Sequence, residues 1–193
     1  ESVPATALLS DEADANGSQD VTTVVAVVGD VEYASLSEAL GAATNGQTVK
    51  VLADTAMEMT GRVDGKSITL DLNGCTVQVD NRAFNVVNGG RLTLDDAKGA
   101  GTLKVNKIGS TLSLGVVTGS KGSVVMKGGT LEAPDYGIYT TSDDTGAYVS
   151  FQGGLIKATY GICALGNGTE HSAKVEVSGG EIQAEVFGFG TNG

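Results

Sequence analysis

The sequence predicts an all-β solenoid, a single-stranded parallel β-helix of about five to six turns preceded by a hairpin and a short capping helix. Three observations predict it. Glycine reaches 29 of 193 residues while proline stays at 2 and tryptophan is absent, a usage that suits many tight turns between short strands. From Thr48 onward apolar residues alternate with polar ones, as in Val49/Val51, Met57/Met59 and Ile68/Leu70/Leu72. Three apolar columns then recur in step to the end of the chain.

The repeat is clearest in Gly74-Cys75-Thr76-Val77, Ala100-Gly101-Thr102-Leu103, Gly128-Gly129-Thr130-Leu131, Gly153-Gly154-Leu155-Ile156 and Gly179-Gly180-Glu181-Ile182. Its apolar member falls at 77, 103, 131, 156 and 182, so successive steps are 26, 28, 25 and 26 residues. Val79, Val105, Ala133, Ala158 and Ala184 repeat two positions later, small enough for a narrow interior. A column before it holds Ile68/Leu70, Leu92/Leu94, Val124/Met126, Val149/Phe151 and Val175/Val177. A column after it holds Tyr136-Gly137-Ile138, Tyr160-Gly161-Ile162 and Phe187-Gly188-Phe189, with Phe84/Val86 and Leu112/Leu114 as weaker members. Three short strands per turn describe a coil. One coil cannot bury its inward side chains alone, whereas coils stacked about 4.8 Å apart close into one continuous core. A β-sandwich is the rival, but sandwiches do not usually repeat three columns in register.

Ahead of the coils, residues 1–20 hold five acids and no base among Ala, Ser and Asn, the composition of a flexible acidic lead-in. Residues 21–47 read as a hairpin around Gly29-Asp30 followed by a cap helix. Ser35 can accept from first-turn amides, and Leu36, Ala39, Leu40 and Ala43 form one apolar face before Asn45-Gly46 stops the helix. Residues 48–193 are the β-helix repeats. The chain stops at Gly190-Thr191-Asn192-Gly193 without a polar capping turn, so the reading expects further repeats beyond it or end-to-end self-association through an open last turn.

With 12 basic against 23 acidic residues the net charge is -11, which repels nucleic acid and anionic membranes and suits cations, neutral glycans or basic proteins. No run of 18 apolar residues offers a membrane span. Cys75 and Cys163 lack metal-ligand spacing and fall on different strands several turns apart, so both are read as free thiols.

Three stretches, Tyr33-Ala34-Ser35-Leu36-Ser37-Glu38-Ala39-Leu40, Gly46-Gln47-Thr48-Val49-Lys50-Val51-Leu52 and Ser67-Ile68-Thr69-Leu70-Asp71-Leu72-Asn73-Gly74, carry a family likeness. They resemble the opening of pectate-lyase-like right-handed β-helices from surface and secreted proteins of gut-type bacteria. That resemblance, not the periodicity, implies a right-handed coil and an extracellular or cell-surface protein. The start, Glu1-Ser2-Val3, has no signal-peptide character, so an export signal is expected to have been removed already. Such helices serve as adhesins, stalks, glycan binders and polysaccharide lyases or hydrolases alike. The catalytic motifs of the enzymes are incomplete here. Asp95-Asp96 resembles a fragment of the paired-aspartate motif of pectin-cleaving hydrolases, but no Gly-His-Gly or Arg-Ile-Lys partner exists, and Arg62, Arg82 and Arg91 lie near no lyase-like acidic cluster on a repeat strand.

Two sets of residues are candidate sites. Loops at Thr118–Gly122, Thr141–Ala147 and Gly166–Ala173 should project from one edge and gather Lys121, Asp143, Asp144, Glu170 and His171, the sole histidine, as a binding surface. Tyr136, Tyr139, Tyr148 and Tyr160 can add sugar-stacking faces, although Tyr136 and Tyr160 sit where inward stacking is commoner. Separately, Asp71 should lie over Asp95 with Asp96 beside it and Lys127 one turn on. Two carboxylates at strand spacing repel unless a cation, a proton or the lysine relieves them, and calcium is the hard ion that would fit. Lys104, Glu132 and Lys157 form an outward column of alternating sign that favours correct stacking. No catalytic set stands out.

The reading is a non-enzymatic surface module for adhesion or glycan binding, with a glycan or a host or bacterial surface protein as partner. A carbohydrate-active enzyme of the same fold and a passive spacer are the alternatives.

Overall fold

The structure, a computed structural model, describes residues 23–141, 146–165 and 173–192. An antiparallel hairpin, β1 (Ala26–Val28) and β2 (Val31–Tyr33), opens it, with Gly29 at φ 60 in the turn. Helix α1 (Leu36–Ala42) starts at Ser35, whose side-chain oxygen accepts from the Glu38 amide at 3.4 Å. Leu36, Ala39, Leu40 and Ala43 are buried, as the apolar spacing requires. The helix stops at Ala42, ahead of the expected Asn45-Gly46. Its last carbonyls are taken by the Lys66 ammonium, which donates to Leu40 O at 3.0 Å, Gly41 O at 3.4 Å and Ala43 O at 2.6 Å. That cation also meets the negative end of the helix dipole.

The first coil is β3 (Thr48–Val51), β4 (Thr55–Met57) and β5 (Gly61–Asp64). The second is β6 (Ser67–Asp71), β7 (Thr76–Asp80) and β8 (Arg82–Val87). The third is β9 (Arg91–Asp95), β10 (Thr102–Asn106) and β11 (Leu114–Thr118). In the later coils the second and third strands fuse: β12 (Ser123–Met126) leads to β13 (Thr130–Thr140), β14 (Tyr148–Phe151) to β15 (Leu155–Leu165), and β16 (Lys174–Val177) to β17 (Glu181–Asn192). The result is an all-β parallel solenoid in which the first-face strand recurs six times, about five turns from first to last. On its first face β3, β6, β9, β12, β14 and β16 pair in parallel, and β1 closes the near end by pairing antiparallel with β3.

The columns read from the sequence are the physical register. Val77, Leu103, Leu131, Ile156 and Ile182 stand over one another on the second face, and Ile68, Leu92, Val124, Val149 and Val175 on the first. Tyr136, Tyr160 and Phe187 align on the third face, as do Ile138, Ile162 and Phe189. Inward residues from Val49 to Ile162 form one apolar core, with Phe84 and Phe151 its largest fully buried side chains.

One column is shifted. Val116 and Thr118, not Leu112 and Leu114, stand on the rungs of Phe84 and Val86, while Leu114 pairs with Arg82 and Leu112 is 55 % exposed. The cause is the bend at 107–113, which absorbs the extra length of the third coil. Asp135 of the next coil anchors it, accepting from the Ser113 amide at 2.8 Å, the Ser113 hydroxyl at 2.9 Å and the Lys107 ammonium at 2.8 Å. Likewise Met59 does not continue the alternation begun by Met57: β4 ends at Met57 and Met59 is 67 % exposed.

The corner before the second face needs positive φ, and Gly154, at φ 88 with space for a Cβ closed by Gly129 O at 2.5 Å, shows why glycine recurs there. In the third coil an exposed Ala100 takes φ 67, a left-handed conformation that costs a non-glycine residue about 1–2 kcal/mol. Ala100→Gly is expected to raise the unfolding free energy by about 0.5–1 kcal/mol, the relief being partly offset by the greater freedom of glycine in the unfolded chain. A urea denaturation midpoint lower than that of the parent would contradict it.

Candidate functional site

A concavity lies outside β13, β15 and β17, where the second face bends into the third. The coils differ in length at that bend. Between the aligned small residue and the aligned aromatic stand Pro134-Asp135 in one coil, Thr159 alone in the next and Glu185-Val186 in the third. The middle coil is therefore one residue shorter, and the ladder shifts register at both junctions. A recessed middle rung between two longer ones makes a groove of about 430 Å³, lined by Glu132, Pro134, Lys157, Thr159, Gln183 and Glu185 over the backbone of Ala133 and Ala158.

The lining is polar and arranged one rung per coil. Glu132, Lys157 and Gln183 are register partners on successive strands. Glu132 is drawn toward Lys104 on its other side, at 3.5 Å, as the alternating exterior column predicted. No ion pair among the described residues engages Lys157, which leaves its ammonium available to the groove. The Thr159 hydroxyl bridges the two flanking bends, donating to Pro134 O at 2.8 Å with a Glu185 carboxylate oxygen at 3.4 Å.

Beside the groove runs an aromatic ladder. Tyr136 and Tyr160 stack with centroids 4.7 Å apart and rings 22° from parallel, Phe187 follows at 4.8 Å, and Tyr139 meets Tyr136 edge-on at 5.2 Å. Tyr136 and Tyr160 are half-buried and not inward as the sequence suggested. At this bend it is Gly137 whose Cβ direction points to the core residue Ile156, so its neighbour Tyr136 stands on the outer side. Tyr136 and Tyr160 thus spend one ring face each on the other. Burial pushes the Tyr136 and Tyr139 hydroxyls above their ordinary pKa, so they stay protonated donors.

Asp135, at the groove's edge, accepts from two residues of the preceding coil, Lys107 and Ser113. Burial pushes its pKa up, but the Lys107 ammonium and the amide and hydroxyl of Ser113 outweigh that and hold it below the usual carboxylate range. A carboxylate whose native pKa is depressed stabilises the fold above its unfolded pKa and loses that contribution as pH falls through the native value. Unfolding free energy should therefore decline below about pH 4, and Asp135→Asn should flatten that decline. Identical acid profiles for the two proteins would contradict it.

At the edge expected to bind, the described flanks of the loops are joined coil to coil by backbone hydrogen bonds: Gly119 N donates to Val86 O, Thr141 N to Thr118 O and Lys174 N to Ala147 O. Lys121 lies there, exposed, at φ 64. Asp143, Asp144, Glu170 and His171 lie outside the described residues.

Asp71 and Asp95 are register partners, as predicted, with Asp96 following. Their relief comes from backbone amides. Asp71 Oδ1 accepts from Asn73 N and Ala97 N, both at 2.9 Å, and Asp95 Oδ1 from Asp96 N at 2.9 Å. Asp96 accepts from Gly74 N at 2.7 Å and Gly101 N at 2.6 Å. These aspartates tie corners of adjacent coils together. Lys127 makes no ion pair among the described residues, and no group of three or more His, Cys, Asp or Glu side chains among them is disposed to hold a metal ion. Cys75 and Cys163 are both free. No helix among the described residues is long and apolar enough to cross a membrane.

No family model, curated protein or solved structure matches this chain. The site therefore rests on its own geometry. Sequence reasoning assigned Glu132 and Lys157 to a stacking column and did not see the groove. Its signal was present in the spacing: the step from Ala158 to Tyr160 is one residue shorter than those from Ala133 to Tyr136 and Ala184 to Phe187.

Proposed function

We propose that this chain is a non-enzymatic extracellular or cell-surface module that binds glycan along its side. The observation that carries this is the groove across β13, β15 and β17, which presents Glu132, Lys157 and Gln183 at one rung per coil. Stacked coils repeat every ~4.8 Å along the axis. A linear chain of sugars lying parallel to that axis would meet a fresh hydrogen-bonding rung at nearly each residue. The groove mixes one free ammonium with carboxylates, amide and hydroxyl, the donor and acceptor set that recognises sugar hydroxyls. A net charge of -11 favours neutral over acidic glycans.

The test is binding of labelled oligosaccharides, neutral and acidic, by calorimetry or on an array. Lys157→Ala and Gln183→Ala are outward substitutions expected to leave stability within about 0.5 kcal/mol. Each should weaken binding by about tenfold, the worth of one or two hydrogen bonds. Binding that survives both variants, or no binding by folded protein, would sink the proposal.

One observation favours an enzyme as the second reading: Glu132 and Glu185 both line the groove, and glycoside cleavage generally uses two carboxylates flanking the bond. Reducing ends released from a polysaccharide panel, and lost in Glu132→Gln or Glu185→Gln, would establish it in place of simple binding.

A further inference from the structure

Asn-Gly pairs are the least durable dipeptides in proteins, and the described residues contain three, Asn45-Gly46, Asn73-Gly74 and Asn88-Gly89. In deamidation the glycine nitrogen gives up its proton and attacks the asparagine side-chain carbon. A C–N bond forms, ammonia leaves carrying that proton, and water opens the cyclic imide to aspartate or isoaspartate. Both reacting groups must be free to meet.

In this solenoid neither group is free at any of the three pairs. Gly46 N donates to Ser67 O at 2.7 Å while Asn45 Oδ1 accepts from Ser67 N at 2.9 Å. Gly74 N donates forward to Asp96 Oδ1 at 2.7 Å while the Asn73 amide donates back to Val51 O at 2.8 Å. Gly89 N donates forward to Ser120 O at 3.0 Å while the Asn88 amide donates back to Asp64 Oδ1 at 2.8 Å. Gly46, Gly74 and Gly89 all have positive φ, with Asn73 at φ 52 and Asn88 at φ 53, so each pair sits in a turn where the coil needs this dipeptide's conformational range.

We propose that coil-to-coil hydrogen bonding is a protective device that blocks deamidation at Asn45, Asn73 and Asn88. Stacking supplies the partners: the coil before holds the side chain and the coil after holds the glycine nitrogen in two of the pairs, and Ser67 of the next coil holds both groups in the third. Attack then requires local opening that breaks both holds at once. Isoaspartate would insert an extra carbon into the turn and disturb the stack, so protection also preserves the rod.

The experiment ages the protein in warm, mildly alkaline buffer and follows each asparagine by peptide mass mapping with isoaspartate detection, beside the same chain held unfolded in urea. Conversion at all three sites should be at least about tenfold slower in the folded protein, since it proceeds only through local opening. Equal rates would overturn the proposal. Asp64→Ala removes the exposed carboxylate holding Asn88 and should speed that site alone, with Asn45 and Asn73 as internal controls. Asp96→Ala should likewise speed Asn73 alone. Acceleration at all three sites together would mark global unfolding of a variant. A folded Asp64→Ala protein in which Asn88 stays as slow as before would show that these bonds do not protect it.

Discussion

Replacing Phe84 by alanine is expected to lower the unfolding free energy by about 3–5 kcal/mol, the range for deleting a buried aromatic ring. Phe84 has no exposed surface and stands in register between Gly61 in the coil before and Val116 in the coil after. The ring lies so close over Gly61 that a Cβ there would come within 2.4 Å of its Cε1. Because a narrow solenoid has few residues in each core layer, the cavity left behind has little to collapse into it. Against a typical total of about 5–15 kcal/mol this is a large fraction of stability. Guanidinium denaturation of parent and variant measures it. A second arm tests the contact itself: Gly61→Ala should destabilise the parent but cost much less in the Phe84→Ala background, a non-additivity expected only of residues that touch. A loss under about 1 kcal/mol for Phe84→Ala would mean that the layer is not packed as described.

Gly137→Ala is the second large effect, about 3 kcal/mol, at the upper end of the cost of overpacking. The added Cβ would lie 2.5 Å from Gly161 O and 2.5 Å from Ile156 Cγ2. The first is backbone of the next coil and cannot move without shifting the ladder. Ile156→Ala removes the Cγ2 of the second contact but not the first, so Gly137→Ala should cost less in an Ile156→Ala background than in the parent, without the cost vanishing. Gly115 and Gly161 repeat the arrangement, with a Cβ placed 2.3 Å from Gly137 O and 2.4 Å from Gly188 O. Four glycines thus stack where the second face bends into the third, and the bend that makes the groove depends on them. A Gly137→Ala protein as stable as the parent, by thermal and urea unfolding, would contradict this account.

Much of the fold was legible because a solenoid is built from nearest-neighbour repeats. Val77, Leu103, Leu131, Ile156 and Ile182 could be aligned by spacing alone, and stacking places them over one another. The misalignment of Leu112 and Leu114 arose where the repeat length departs most from its mean. Apolar identity could not say which residues re-enter the register after the bend at 107–113, since Asp135, twenty-two residues beyond Ser113, decides where that bend is pinned. Lys66 at the end of α1 was invisible for the same reason. A lysine in a strand's approach carries no mark of the helix carbonyls that will face it.

The candidate site was less legible. Acidic residues announce themselves by type, so Asp71, Asp95 and Asp96 drew a metal hypothesis, while their actual partners are backbone amides that every residue carries and no sequence distinguishes. The groove came instead from a one-residue difference between coils, a feature of comparison and not of any motif.

By itself, then, the sequence determined the class of fold, the three-column register and the inward residues, because period and repeat are local properties that stacking merely copies from coil to coil. Only the tertiary structure decided where coils of unequal length recede to form a groove, which amides satisfy which carboxylates, and that Tyr136 and Tyr160 stack on one another outside the core. Those depend on the distance between backbones that are neighbours in space and about a coil apart in the chain, and side-chain identity does not encode that distance.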